Sequence, residues 1–207
     1  MTDADDVQQT ADNIERFSRL VEQHGTSAQA LGWGSGASQR TRFDVLTAIG
    51  DLDGCSLLDV GAGLGDLYGY LVQRGISVDY TGYDITPAMV EASRARWPGA
   101  RFDVRDILTS GDQEESFDYV LASGIFTFHT EEAMAFLDRM VRRMFALCRR
   151  GVALNLLSSL APETEPDEFV ADPPTVLRMC QAITPYVALR HDYFPHDFSL
   201  YLRRTLP

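Results

Sequence analysis

Two carboxylates and three glycines share one short stretch, Ser56-Leu57-Leu58-Asp59-Val60-Gly61-Ala62-Gly63-Leu64-Gly65-Asp66-Leu67-Tyr68, and they are the residues best suited to hold a ligand. An apolar run ending in an acid reads as a buried strand, and the apolar spacing of Leu67, Tyr70 and Leu71 reads as a helix behind it. Glycines between them allow positive φ and close approach of a ligand to the backbone, and the first N–H groups of the helix face whatever is bound. A dinucleotide turn would read G-x-G-x-x-G and meet a pyrophosphate. Here the spacing is G-x-G-x-G, with Asp66 in place of the third glycine. Asp59 and Asp66 would repel a pyrophosphate and suit an ammonium or sulfonium cation. One strand–helix unit later Tyr80-Thr81-Gly82-Tyr83-Asp84 also ends in an acid, whose carboxylate can accept both ribose hydroxyls. The ligand these residues describe is a nucleoside with a cationic, amino-acid-like tail: S-adenosylmethionine.

Leu57–Leu67 resembles motif I of the class I S-adenosylmethionine-dependent methyltransferases, and Tyr80–Asp84 resembles their following acidic strand. Phe102-Asp103-Val104-Arg105-Asp106-Ile107 is similar to the family's third-strand end, and Phe117–Ser123 to its fourth strand. The similarity runs from about Trp33 to the C-terminus with the motifs in the family's order. It implies that Asp59, Gly61, Ala62, Gly63, Asp84, Ile85, Asp106, Ile107, Ser123, Gly124 and Phe126 surround the cofactor. Ile85 and Ile107 would sandwich the adenine, and Asp106 would accept from its amine. A polar side chain ahead of motif I often reaches the methionine carboxylate in similar small methyltransferases; Gln39 and Arg42 are the candidates, against surface pairing.

Methyl transfer from a sulfonium is an in-line displacement, so the protein must align the partners, exclude water and, for some acceptors, remove a proton. Ser123–His129, Asn155–Ser158 and Tyr193–Asp197 all reach the edge where the acceptor is expected. The catalytic candidates are His129, Tyr193 and Asn155. His129 is the first choice of general base, ahead of His191 with Asp192, whose neighbouring strand positions point to opposite faces. Tyr193 would position the acceptor or the cofactor tail. Strand alternation aims His191 and Tyr193 the same way and leaves His196 in a hairpin loop. Phe126 and Phe128 suit an aromatic pocket wall.

Positioning these groups requires an α/β fold, a Rossmann-like, seven-stranded, mostly parallel sheet with helices on both faces. The short connection at Pro195 makes the last strand antiparallel. Accessory N-terminal helices are expected at Ala11–His24 and Arg42–Ile49, joined by a glycine-rich loop, Leu31–Arg40, that bears Trp33 and could serve as a lid. A single methyltransferase-like domain spans 1–207, with 1–50 as a helical cap and 51–207 as the core.

A chain of 207 residues can bury a sizeable core. The net charge of −12, with Arg as every one of the 18 cations, argues against nucleic acid. The basic cluster Arg139, Arg142, Arg143, Arg149 and Arg150 reads as cations favouring a helix C-terminus. No apolar run or signal segment points to a membrane, so a cytoplasmic protein, monomer or homodimer, is expected. Three dispersed cysteines read as buried reduced thiols, and no metal site is indicated. Ser123-Gly124-Ile125-Phe126 lacks the Pro-Pro-aromatic motif of enzymes methylating adenine, cytosine or glutamine amines. An acid pair suited to Mg²⁺ is also missing, against a catechol-type mechanism. The expected function is methylation of a small-molecule substrate on oxygen, nitrogen or carbon. Two alternatives stand: chemistry on the aminobutyrate arm of the same cofactor, separated by the mass of the nucleoside product, and a non-catalytic cofactor-binding module.

Overall fold

The apolar run before the glycines forms β1 (Ser56–Val60), and its partners on either side are β2 (Asp79–Asp84) and β4 (Phe117–Ala122), both parallel to it. This computed structural model describes residues 14, 15, 18, 19, 36–127 and 132–206. The remaining strands are β3 (Arg101–Val104), β5 (Cys148–Ser158), β6 (Val170–Ala171), β7 (Val187–Phe194) and β8 (Asp197–Arg203). Their order is β3-β2-β1-β4-β5-β8-β7, with β8 antiparallel to both its neighbours. The expected mostly parallel sheet with a reversed last strand is therefore present. It has one strand more than expected: β6, two residues long, lies within the acidic 158–172 loop and pairs with the end of β5.

The helices are α1 (Gly36–Thr47), α2 (Asp66–Gln73), α3 (Pro87–Arg96), α4 (Ala133–Leu147) and α5 (Pro173–Gln181). Alternation divides the apolar strand residues between two cores. Leu58, Val60, Val120, Val152, Leu154 and Phe198 pack with Leu137, Val141 and Met144 of α4 and Val176 of α5. Leu57, Leu121, Ala153 and Tyr201 pack with Phe43 and Leu46 of α1 and Leu67 and Leu71 of α2. Asp172 caps α5 as expected, accepting from the Thr175 N–H at 3.0 Å.

The N-terminal expectations are only partly covered. Ile14, Glu15, Ser18 and Arg19 are helical, while His24 and Trp33 lie outside the described residues. The expected loop Leu31–Arg40 is helical from Gly36 on, where α1 begins, and its residues 31–35 lie outside the described residues. Helix-favouring residues follow at once; Gln39 finds its partner on α2, at Asp66, and Arg42 finds its own on β8, at Asp197.

Candidate active site

Strand register brings the expected segments to one edge. Val60 lies opposite Tyr83 and Ala122, and Ala122 opposite Leu154, so the residues following β1, β2 and β4 emerge together beside the end of β5. The antiparallel β8 starts at the same edge, with Asn155 opposite Ser199 and Leu157 opposite Asp197.

The glycine turn is held from several sides. Gly61 and Ala62 donate backbone N–H groups to the Tyr83 carbonyl at 2.8 and 3.0 Å. Gly63 donates to Asp84 Oδ2 at 2.9 Å, and the other carboxylate oxygen accepts from Thr86 N at 2.8 Å. Ser93 Oγ donates to the Gly63 carbonyl at 2.6 Å and Trp97 Nε1 to the Leu64 carbonyl at 3.1 Å. Gly61, Gly63 and Gly65 have φ of 71°, 52° and 71°, values that side chains with a Cβ adopt only at a cost. A Cβ on Gly61 would collide with Ile125 Cγ2, and one on Gly65 would stand 2.7 Å from both Phe102 and Trp97. Backbone conformation and internal packing therefore already demand glycine at these two positions.

Three acids surround this turn. Asp59 is 3% exposed and accepts from the Tyr80 hydroxyl. Burial pushes its carboxyl up to about 7; the Tyr80 hydrogen bond opposes that rise, and Asp84 and Asp66 add to it. Burial also raises Asp84, against the backbone donors of Thr86 and Gly63. Asp66 accepts from Gln39 Nε2 at 3.1 Å and Arg96 Nη1 at 2.7 Å. Arg96 already offsets Asp66, so it is the negative potential left at Asp59 and Asp84 that a further cation would relieve.

Around the turn, Asp106 accepts from the Leu108 N–H at 2.9 Å, closing a tight turn after β3. Ile85 is half-buried at the end of β2. Ile107 and Phe126, at 2% and 5% exposed, turn instead into the α4 core. Ser123, at the end of β4, has a buried Oγ with no hydrogen-bond partner. Such a hydroxyl costs free energy until something polar meets it, which fits a polar ligand lying against this edge.

The second polar group lies across β5 and the β7–β8 hairpin. Asp197, wholly buried, accepts from Arg42 Nε, from Asn155 Nδ2 at 3.1 Å and from the Tyr193 hydroxyl at 2.9 Å. Tyr193 also meets Ser199 Oγ at 2.8 Å. Asn155 Oδ1 accepts from the Gly124 N–H at 3.1 Å. Gln39 and Arg42, at 8% and 6% exposed, are thus buried groups with different carboxylate partners and not surface pairs. Burial holds the Tyr193 phenol far above its ordinary range, with Asp197 adding to the effect, so it stays protonated and donates. Asp197 closes the Tyr193–Asp197 segment expected at the acceptor edge but has no expected role of its own. The signal available was an acid directly after the Phe194-Pro195-His196 turn, where one usually serves the turn itself.

The expectation that His191 and Tyr193 share a face is overturned. The β7–β8 register shifts between Arg190 and Phe194, and a bulge of this kind reverses alternation. His191 lies by Phe198, 6.1 Å between ring centroids, with Nε2 3.2 Å from the Pro195 carbonyl oxygen. Tyr193 faces Asp197 and Ser199 instead. Asp192 pairs with Arg190. Phe128 and His129 lie outside the described residues.

Members of the basic cluster make local hydrogen bonds and ion pairs, with Arg142, Arg149 and Arg150 exposed, and none of the cluster lies in the last turn of α4. Arg143 donates to the carbonyls of Ile107 and Asp112 at 2.9 and 2.7 Å, and Arg149 donates to Asp118 at 3.0 Å. Arg142 pairs with Asp138, while Arg150 lies over the Tyr119 ring. Cys55, Cys148 and Cys180 are buried and unbridged. Among the described residues no His, Cys, Asp and Glu group is arranged to hold a metal ion, and no helix is long and apolar enough to cross a membrane.

Comparison with known proteins agrees with this geometry. A family described as a methyltransferase domain matches residues 57–149. A Mycobacterium tuberculosis protein named as a methyltransferase is 33% identical over 160 residues, 74% of this chain and 95% of its own length. The trans-aconitate 2-methyltransferase of Variovorax paradoxus is 26% identical over 56% of this chain and 44% of its own. Among solved structures, the Burkholderia thailandensis 1,6-didemethyltoxoflavin-N1-methyltransferase with bound S-adenosylhomocysteine has a TM-score of 0.66 at 19% identity, over 96% of this chain and 90% of that one. The Synechocystis magnesium protoporphyrin IX methyltransferase, also bound to S-adenosylhomocysteine, gives 0.65 at 16% identity over 95% of both chains. With these relatives, this sheet order and this glycine turn, the chain belongs to the class I S-adenosylmethionine-dependent methyltransferases.

Proposed function

We propose that this methyltransferase acts on a small-molecule acceptor, and that residues 1–50 form a cap over a core of 51–207. The observation that carries the cofactor assignment is the set of acids Asp59, Asp66 and Asp84 around one glycine turn, beside an unpartnered Ser123 hydroxyl. Asp84 would take the ribose hydroxyls, Asp59 and the Gly61–Gly63 backbone the cationic tail, and Ile85 and Asp106 the adenine. Bound S-adenosylmethionine supplies a methyl group on a sulfur that is already a leaving group. The chain's own residues then need to bind, orient and keep water out. Tyr193 stays protonated against Asp197, which makes it a hydrogen-bond donor and not a base. His129, placed by sequence just after β4, is the proposed base for an acceptor that must lose a proton.

The acidic balance of the chain favours an uncharged or cationic small acceptor over nucleic acid. Curated and solved relatives named for trans-aconitate and didemethyltoxoflavin are consistent with small acceptors. Incubation with S-adenosylmethionine and a panel of small oxygen, nitrogen and carbon acceptors, followed by mass spectrometry, tests the reading. S-adenosylhomocysteine with an acceptor heavier by one methylene supports it; methylthioadenosine would mean attack on the aminobutyrate arm. In the same assay His129→Ala slows turnover and leaves cofactor affinity intact if His129 is the base.

A further inference from the structure

We propose that Asp197 is a positioning residue that fixes the orientation of the Asn155 amide and, through it, the loop leaving β4 on the cofactor side. A carboxylate can only accept hydrogen bonds. Asn155 must therefore turn its Nδ2 toward Asp197, at 3.1 Å, which leaves Oδ1 to accept from the Gly124 N–H at 3.1 Å. Were position 197 able to donate, the amide could rotate by half a turn with little change in shape, and the Gly124 bond would be lost. The loop fixed in this way carries Ser123, whose buried Oγ has no partner, and Ile125, whose side chain lies against Gly61 of the glycine turn.

The same carboxylate receives Arg42 from α1, a helix that Gln39 on Asp66 and Asp44 on Tyr70 also tie to α2. Asp197 thus joins the helix covering the sheet edge to the loop beneath it. A buried ion pair is seldom more stabilising than apolar side chains of equal volume. What the pair contributes at this position is one defined hydrogen-bond direction.

The proposal rests on the cofactor reading above, which binding of S-adenosylhomocysteine to the unaltered protein tests by itself. Given that binding, Asp197→Asn removes the accept-only constraint, and Arg42→Met/Asp197→Asn does so without leaving an unpaired buried cation. The expected result for the double variant is a melting temperature within a few degrees of the parent, amide exchange at Gly124 faster by about tenfold, and S-adenosylhomocysteine bound about tenfold more weakly. Exchange at the core amides of β1 and β4 stays as in the parent. A folded variant, single or double, with parental protection at Gly124 and parental affinity overturns the proposal. So does a variant in which core and Gly124 amides lose protection together, since the role would then be general stability.

Discussion

Tyr80 on β2 donates its hydroxyl hydrogen to Asp59 on β1, and both residues are 3% exposed. The carboxyl titrates at about 7 in the fold, against 3.8 for an unperturbed aspartate. Between those values the folded protein holds a proton that the unfolded chain has released. The stability contributed by this group is therefore complete below about pH 4 and is lost as pH rises through 7. The full shift corresponds to about 4 kcal/mol, and relaxation around the charge reduces the expected loss to on the order of 2 kcal/mol. Asp59→Asn keeps an acceptor for Tyr80 and takes no charge. It should flatten the stability profile between pH 5 and 8 and raise the melting temperature at pH 8, while weakening cofactor binding. Thermal melts across that range check it; an unchanged pH slope would assign the proton to another group.

Asp84 serves the turn twice, once through Gly63 N and once through Thr86 N. Asp84→Ala orphans both donors as well as removing the proposed ribose contact. Cofactor affinity should fall by about 2 kcal/mol, or roughly thirtyfold. Titration calorimetry with S-adenosylhomocysteine measures this directly, and equal affinity in a folded variant refutes the ribose assignment.

The parts of this fold that are legible in the sequence are those set by local pattern. Apolar runs ending in acids mark β1 and β2, Asp172-Pro173 marks the start of α5, and the short turn at Pro195 dictates an antiparallel hairpin. What escapes depends on contacts distant in sequence. Val170–Ala171 becomes a strand only because the end of β5 offers an unpaired edge there. The β7 bulge reverses His191 against Tyr193, and nothing in their own residue types announces it. Arg42 reads as a cofactor ligand or a surface charge because its partner, Asp197, lies 155 positions away. Trp97, in sequence part of a helix stop, fills the space left by Gly65 and Gly69.

Gly61 combines a left-handed φ of 71° with a side chain already occupying the Cβ direction, that of Ile125. Gly61→Ala should therefore destabilise by about 2–3 kcal/mol, part from φ and part from the clash. Adding Ile125→Ala removes the clash and leaves the φ cost. The double variant should be less destabilised than the sum of the two single variants by about 1 kcal/mol. Denaturant unfolding of the four proteins measures the coupling, and simple additivity would mean that Ile125 moves aside freely.

Asp118 sits at the opposite end of the sheet from the cofactor edge and offers a separate test of stability without function. Its carboxylate accepts from Ser56 N at 2.8 Å, Ser56 Oγ at 2.9 Å and Arg149 Nε at 3.0 Å. The Arg149 hydrogen bond, foremost among these, lowers its carboxyl to about 2. A depressed carboxyl contributes stability that is present above the unfolded value near 4 and is lost as pH falls toward 2. Because the Arg149 side chain is 43% exposed, solvent screening cuts the contribution to about 1 kcal/mol. Asp118→Asn should cost that amount at pH 7 and almost nothing at pH 2, and leave S-adenosylhomocysteine affinity at the parental value. A drop in affinity without a drop in stability would mean that strain at the base of β1 and β4 reaches the glycine turn, and that the two ends of the sheet are coupled.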